Sequence, residues 1–220
     1  MVAVAGVDGR RGGWVVAVVE TDPVPTLVSL DFAAPLRGAL REDLAVIAID
    51  IPIGLSDDAP RDCDLAARKL LLPHGTRVFP APPRAALAHA DSYDAACEAA
   101  LSVSGKSLSK QTWNLLRAIA EIDALADDPR IVECHPEIAF ALMNGHPIDE
   151  RKKTPAGREV RLDLLRRWLP DLPDPAYGDD GLDALACAWS AARIARGEAL
   201  TLPHGEVPCD EAGRPMRICA

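Results

Sequence analysis

The run LAVIAIDIPIGL, residues 44–55, limits the possible folds more than any other segment of this chain. Its apolar residues follow one another without the polar alternation of a strand that has one solvated face. Such a run is typical of a strand covered on both sides, as in parallel sheets flanked by helices. Asp50 is the only charge in it, and aspartate is depleted in strand interiors because it adds nothing to a hydrophobic sheet.

The segments before this run have the pattern of consecutive strands. Residues 2–7, 13–20 and 24–31 are predicted strands, joined by the turn sequences DGRRGG and TDPVP. After the run the pattern becomes helical, apart from a short strand that ends at Glu133. We therefore predict an α/β fold with a mixed five-stranded sheet, in which three antiparallel strands precede parallel strands and helices cover both faces.

The length of 220 residues suits one domain with a single core. We assign this domain to residues 1–200, with a helical insertion at about 60–128. Residues 201–220 contain three prolines and little periodicity, which predicts a surface strap.

Composition excludes several classes of protein. Hydrophobic residues make up 49% of the chain and charged residues 26%, and no apolar run approaches the ~18 residues of a membrane span. No secretion signal is expected at the first residues. The six cysteines form no C-x-x-C pair, so we expect reduced thiols and a cytoplasmic location, with a Cys209–Cys219 bridge as the alternative. No feature of the sequence indicates an oligomeric state.

The net charge of −9 argues against a protein that coats nucleic acid non-specifically. Residues 151–167 reverse this charge locally, with seven cations against Glu159 and Asp163. One interpretation is a solvated helix face preceded by a basic loop. The other is a polynucleotide contact that uses Arg151, Lys152 and Lys153.

Several acidic residues interrupt segments that otherwise have a buried pattern. Asp8 closes the first strand, Asp50 interrupts the run above, and Glu133 closes the short strand. Asp180 and Asp183 open a last helix that is apolar all round, which is the pattern of a helix packed on every side. Their spacing of three residues places both on one side of its first turn.

Buried carboxylates repel one another and cost several kcal/mol each to desolvate unless cations compensate them. Few cations lie beside these strands in the sequence, so a bound metal is the economical explanation. Oxygen ligands favour Mg²⁺ or Mn²⁺. His135 is placed to reach the same cluster, either as a ligand or in a structural role, and Asp180 could instead cap its helix.

Six ordered motifs carry a resemblance to a known family. They are GVDG…GGW, IDIPIGL, RDCDLAARKLL, VFPAPPR, ECHPE and DDGLDALACAW. Together they resemble an uncharacterised family of bacterial proteins predicted to be nucleases with a ribonuclease H-like fold. The DGLDALA sequence is similar to the last-helix motif of Holliday-junction resolvases in that superfamily.

The resemblance implies a divalent-metal-dependent nuclease, a hydrolase of phosphodiester bonds in nucleic acid that uses two ions. Asp8 would bridge two Mg²⁺ or Mn²⁺ ions, Asp50 and Asp183 would each hold one, and Asp180 or Glu133 would complete the ligands. Cations in the motif segments and the basic stretch would bind the substrate phosphates. These are Arg61, Arg68, Lys69, Arg77, Arg84, Lys152 and Lys153. The alternative is a non-catalytic nucleic-acid-binding or regulatory module that retains the acidic cluster.

Overall fold

The computed structural model describes residues 2–220. Its main sheet has five strands in the order β3-β2-β1-β4-β5. The strands are β1 (Ala3–Arg10), β2 (Gly13–Glu20), β3 (Thr26–Ala33), β4 (Leu44–Ile49) and β5 (Ile131–Glu133). Strands β1, β2 and β3 are antiparallel neighbours, whereas β4 runs parallel to β1 and β5 parallel to β4. This confirms the predicted mixed five-stranded sheet, in which three antiparallel strands precede parallel ones.

Six α-helices connect and cover these strands. They are α1 (Asp62–Leu70), α2 (Tyr93–Ser104), α3 (Lys110–Asp123), α4 (Pro136–Asn144), α5 (Pro155–Trp168) and α6 (Asp179–Ala195). Ser92 and Ser109 cap α2 and α3 by accepting hydrogen bonds from the first turns of these helices. Leu36–Ala39 form a single 3₁₀ turn between β3 and β4.

Helices lie on both faces of the sheet. Helices α4, α5 and α6 pack against one face through Phe140, Leu165 and Leu185. Helix α3 covers the opposite face through Ile119 and Ile122. The two faces are hereafter called the α6 face and the α3 face.

Gly6 allows α6 to approach β1 closely. A Cβ atom at this position would lie 2.0 Å from the backbone nitrogen of Ala188 and 2.1 Å from the carbonyl oxygen of Ala184. Both distances are shorter than any side chain tolerates, so only glycine fits. Because successive strand residues point to opposite faces, Asp8 shares the α6 face with Gly6.

Residues 201–220 differ from the predicted surface strap. Strands β6 (Thr201–Leu202) and β7 (Ile218–Cys219) pair with each other, and residues 218–220 are buried. Leu202 and Ile218 join a cluster with Ala67 of α1 and Ile138 of α4. The prediction is wrong for these segments because their few apolar residues fill the space between the two helices.

All six cysteines are free, in agreement with the expected reduced thiols. Across residues 2–220, no helix combines the length and the apolar character that crossing a membrane requires.

Candidate acidic site

A cavity of about 840 Å³ opens where β1, β4 and β5 end. Asp8, Asp50 and Asp183 line it, together with Lys152 from the loop between α4 and α5. These three carboxylates come from distant parts of the sequence, and we call them the aspartate group. All five acidic residues singled out from the sequence line this cavity. The charge of Lys152 acts on three of them, the members of the aspartate group.

Strand register explains how the first two aspartates meet. Val7 of β1 is paired with Ile49 of β4, and the Asp50 backbone N–H donates to the Val7 carbonyl at 3.0 Å. Asp8 and Asp50 each follow a member of this pair, so both side chains point to the α6 face. The close approach of α6 at Gly6 adds Asp183 from its first turns.

Lys152 is the cation in direct contact with this group. Its Nζ atom lies 2.6 Å from Oδ2 of Asp183. The Asp183 side chain is 4% exposed and that of Lys152 is 43% exposed. The pair therefore places an ammonium at the rim of a cavity whose carboxylates lie deeper.

Burial raises the pKa of all three aspartates. The pKa of Asp8 lies well above its usual value because of burial and because of the nearby charges of Asp50 and Asp183. Burial also raises the pKa of Asp50, although His135, Lys152 and a hydrogen bond with Asp8 oppose the shift. The pKa of Asp183 rises to about 6, again through burial, with Lys152 acting in the opposite direction. The group therefore carries more negative charge than its surroundings compensate.

His135 lies in the same cavity wall but has a backbone role. It is the N-cap of α4, and its Nδ1 accepts the backbone N–H of Glu137 at 3.2 Å. Its charge lowers the pKa of Asp50. The structure thus favours the structural interpretation of this histidine.

Glu133 does not join the aspartate group. It pairs with Ile49 in the sheet, so its side chain points to the α3 face. There Arg61 binds both of its oxygens, at 2.7 and 2.8 Å, and the Ile53 N–H donates to it at 2.7 Å. Arg61 also pairs with Asp64 at 2.5 Å, and we call these three side chains the arginine group. The expectation that few cations lie beside the strands is wrong here, because Arg61 arrives from the insertion.

Asp180 is also paired with a cation. Its Oδ2 lies 2.7 Å from Nη1 of Arg10, the last residue of β1. The Asp180 side chain is about one-third exposed. Asp180 therefore lies at the edge of the cavity, and it raises the pKa of Asp8 less than burial, Asp50 or Asp183 does.

The cations expected to bind phosphates fall into two sets. Three are already committed to internal contacts: Arg61 within the arginine group, Arg84 with Asp123 and Asp210, and Arg77 with Glu137. Arg61 is 3% exposed, which makes the expectation of phosphate binding wrong for this residue. Lys153 is exposed on the cavity wall, while Arg68 and Lys69 line a smaller neighbouring pocket.

Within residues 2–220, no three His, Cys, Asp or Glu side chains are gathered closely enough to be ready-made ligands of one metal ion. Two of the five acidic residues, Glu133 and Asp180, are paired with arginines instead of with the other acids. A third, Asp183, is paired with Lys152. Asp8 and Asp50 nevertheless offer carboxylate oxygens, the donors that Mg²⁺ and Mn²⁺ prefer, and Mg²⁺ is often held by only one or two carboxylates.

Sequence reasoning missed the residues that hold Lys152 in place. Glu137 accepts from Arg77 at 2.8 Å and from Arg161 at 2.6 Å. Arg161 occupies the same side of α5 as the buried Leu164 and Leu165 and is itself 1% exposed. A cation among the apolar residues of an amphipathic helix was the available signal, since a buried arginine requires an acidic partner.

This chain belongs to the family described as "Protein of unknown function (DUF429)", whose model matches residues 6–207. The recognition of an uncharacterised family from the six motifs is thereby confirmed. The comparison with curated proteins gives no match.

Two solved structures from Thermus thermophilus are similar to this chain. One is a RuvC structure, with 11% identity, a TM-score of 0.44, and coverage of 89% of this chain and 97% of that one. The other is RuvC in complex with a Holliday junction substrate, with 12% identity, a TM-score of 0.44, and coverage of 90% and 98%.

Proposed function

We propose that this protein is a divalent-metal-dependent nuclease whose active site is the aspartate group. The observation that carries the proposal is the charge imbalance of Asp8, Asp50 and Asp183, three carboxylates that line an open cavity where one lysine contacts only Asp183. Strongly shifted carboxyl pKa values in a cleft mark candidate functional sites. The exposed basic residues Arg151 and Lys153 on the cavity wall suit a polyanionic substrate.

Asp8 and Asp50 would hold the metal, with Asp183 near them. A bound divalent ion supplies Lewis-acid activation of water and stabilisation of charge on a phosphodiester. The chain's own residues would orient the site: β1 and β4 fix the two carboxylates by register, and α6 fixes Asp183. Lys153, with its free ammonium near the rim, would draw the phosphate backbone toward the cavity.

Asp50→Asn tests the proposal because it changes one ligand charge and little volume. We expect wild-type protein with Mn²⁺ to cleave labelled single-stranded or duplex DNA or RNA. The cleavage rate of the variant should be more than about 100-fold lower. Asp31→Asn, at an exposed position of β3, is the matched control and should keep full activity. Cleavage by Asp50→Asn at the wild-type rate, or cleavage that persists with a chelator, would contradict the assignment.

A non-catalytic nucleic-acid-binding module is the second candidate, and specific contacts favour it. Arg61, Arg10 and Lys152 each neutralise an acid without any metal. This candidate predicts that the protein retards polynucleotides in gels, while no Mn²⁺ or Mg²⁺ binds and no cleavage occurs. Metal-binding calorimetry therefore separates the two candidates.

A cytoplasmic location remains part of the proposal. It is supported by the six free cysteines, of which Cys63, Cys134 and Cys187 are fully buried as small apolar side chains.

A further inference from the structure

We propose that the ammonium of Lys152 takes the place of a second metal ion, so that the aspartate group binds one divalent ion. This inference rests on the proposed function and replaces the two ions implied by the family resemblance. Its starting point is the contact of 2.6 Å between Lys152 Nζ and Asp183 Oδ2. The ammonium occupies one of the two Asp183 oxygens and places a positive charge where a second ion held by Asp183 would lie.

The fold holds Lys152 in this position. Arg77 fixes the loop between α4 and α5 near its start, because it donates a hydrogen bond to the Ile148 carbonyl at 2.7 Å. Arg77 also donates to the Asp149 carbonyl at 3.2 Å. The loop is therefore held four and three residues before Lys152.

A second arginine fixes the same loop from the helix side. Arg161 donates to the Glu150 carbonyl at 3.2 Å and to the Gly157 carbonyl at 3.0 Å. Glu137 joins the two arginines, since it accepts from Arg161 at 2.6 Å and from Arg77 at 2.8 Å. Displacing Lys152 by backbone movement would break this buried network, which costs several kcal/mol.

The charges match one divalent ion. When all three aspartates are ionised, they supply three negative charges against the one positive charge of Lys152, so two negative charges remain for a cation. Asp8 is buried, and within residues 2–220 neither Asp8 nor Asp50 forms an ion pair at the distance of the Lys152–Asp183 contact. These two residues on adjacent strands are therefore the ones left to hold the ion, while Asp183 remains with the lysine.

Counting bound Mn²⁺ by isothermal titration calorimetry tests this arrangement at neutral pH. We expect one ion per wild-type chain and two per chain of Lys152→Gln, because the variant frees the Asp183 oxygen. Lys153→Gln removes the same charge from the next residue, which is exposed, and should keep one ion. Circular dichroism checks that each variant is folded.

Two ions in the wild-type chain, or one ion in both wild type and Lys152→Gln, would overturn the inference while leaving metal-dependent function in place. The absence of Mn²⁺ binding in every variant would instead remove the proposed function itself. Lys152→Arg keeps a cation at this position and should keep one ion. If Lys152→Gln does not fold, the test uses the number of Mn²⁺ ions bound by wild type and by Lys152→Arg. Two ions in either protein would contradict the proposal.

Discussion

Two groups of buried carboxylates lie at the same end of the sheet, on opposite faces. On the α3 face, Glu133 and Asp64 share the Arg61 guanidinium, which makes four hydrogen bonds to their oxygens at 2.5–3.2 Å. On the α6 face lie three aspartates, of which only Asp183 contacts an ammonium, that of the partly exposed Lys152. The two groups have similar burial but different compensation of charge.

The difference separates a structural group from a reactive one. A buried ion pair with well-formed hydrogen bonds holds segments together, and here Arg61 also donates to the carbonyls of Ile53 and Gly54 after β4. A group with surplus negative charge in an open cavity gains free energy by binding protons or cations. Each group therefore has its own expected response to mutation, pH and metal.

The largest difference is expected when each group loses its cation. Arg61→Met leaves Glu133 and Asp64 buried without a partner, and should lower the free energy of unfolding by about 3–5 kcal/mol. Lys152→Met should lower it much less, because its aspartates lie in an open cavity and can take up protons. Urea denaturation at neutral pH measures both. Equal losses in the two variants would show that the two groups do not differ in this way.

Metal should stabilise the fold through the aspartate group alone. A free ion concentration about 100 times Kd adds about 2.7 kcal/mol, or about 5–10 °C in Tm for a chain of this size. The increment should disappear as pH falls through about 6, because protonated Asp183 no longer supplies its charge to the cavity. Thermal melts with Mg²⁺ or with a chelator, across pH, measure this. Glu133→Gln should have a lower Tm than wild type but should show the same rise in Tm when metal is added. Loss of that rise would place the metal in the arginine group.

Replacing an acid by its neutral amide should change the free energy of unfolding in opposite directions in the two groups. The pKa of Asp8 is raised in the folded state by burial, so its ionisation destabilises the fold as pH rises. Asp8→Asn in a chelator should therefore increase stability on the order of 1 kcal/mol at alkaline pH. The gain should fade below about pH 4, where aspartate is protonated in the unfolded chain as well. Burial raises the pKa of Glu133 to about 7 as well, but Glu133→Gln also removes a carboxylate oxygen that accepts from Arg61, and it should therefore decrease stability at alkaline pH. Chemical denaturation at several pH values checks both signs, and a destabilised Asp8→Asn at alkaline pH would contradict the charge surplus.

The sheet was predictable because each strand carries a local signal, such as the continuous run around Ile47 or the turn residues before β2. The meeting of Asp8 and Asp50 was predictable for the same reason, since parallel neighbours end at one edge. The face of Glu133 was not, because β5 has three residues and too short an alternation to fix which of Glu133 and Cys134 points to α6. The cation partners were not predictable either, because Arg61 and Lys152 reach the strands across long loops.

The cavity and the smaller pocket are bordered by different basic residues, which gives the smallest expected effect. Lys153 lies on the wall of the cavity, whereas Lys69 lies at the end of α1 beside the smaller pocket. If nucleic acid passes over the aspartate group, Lys153→Gln should reduce the slope of log K against log salt by about 0.7–0.9, the contribution of one phosphate contact. Lys69→Gln removes an equal charge from an exposed helix position and should change the slope less. Fluorescence anisotropy with a labelled oligonucleotide in a chelator measures both slopes. A larger change of slope in Lys69→Gln would indicate that the nucleic acid passes near α1 and not over the rim of the cavity. The aspartate group would then lie beside the bound nucleic acid rather than beneath it.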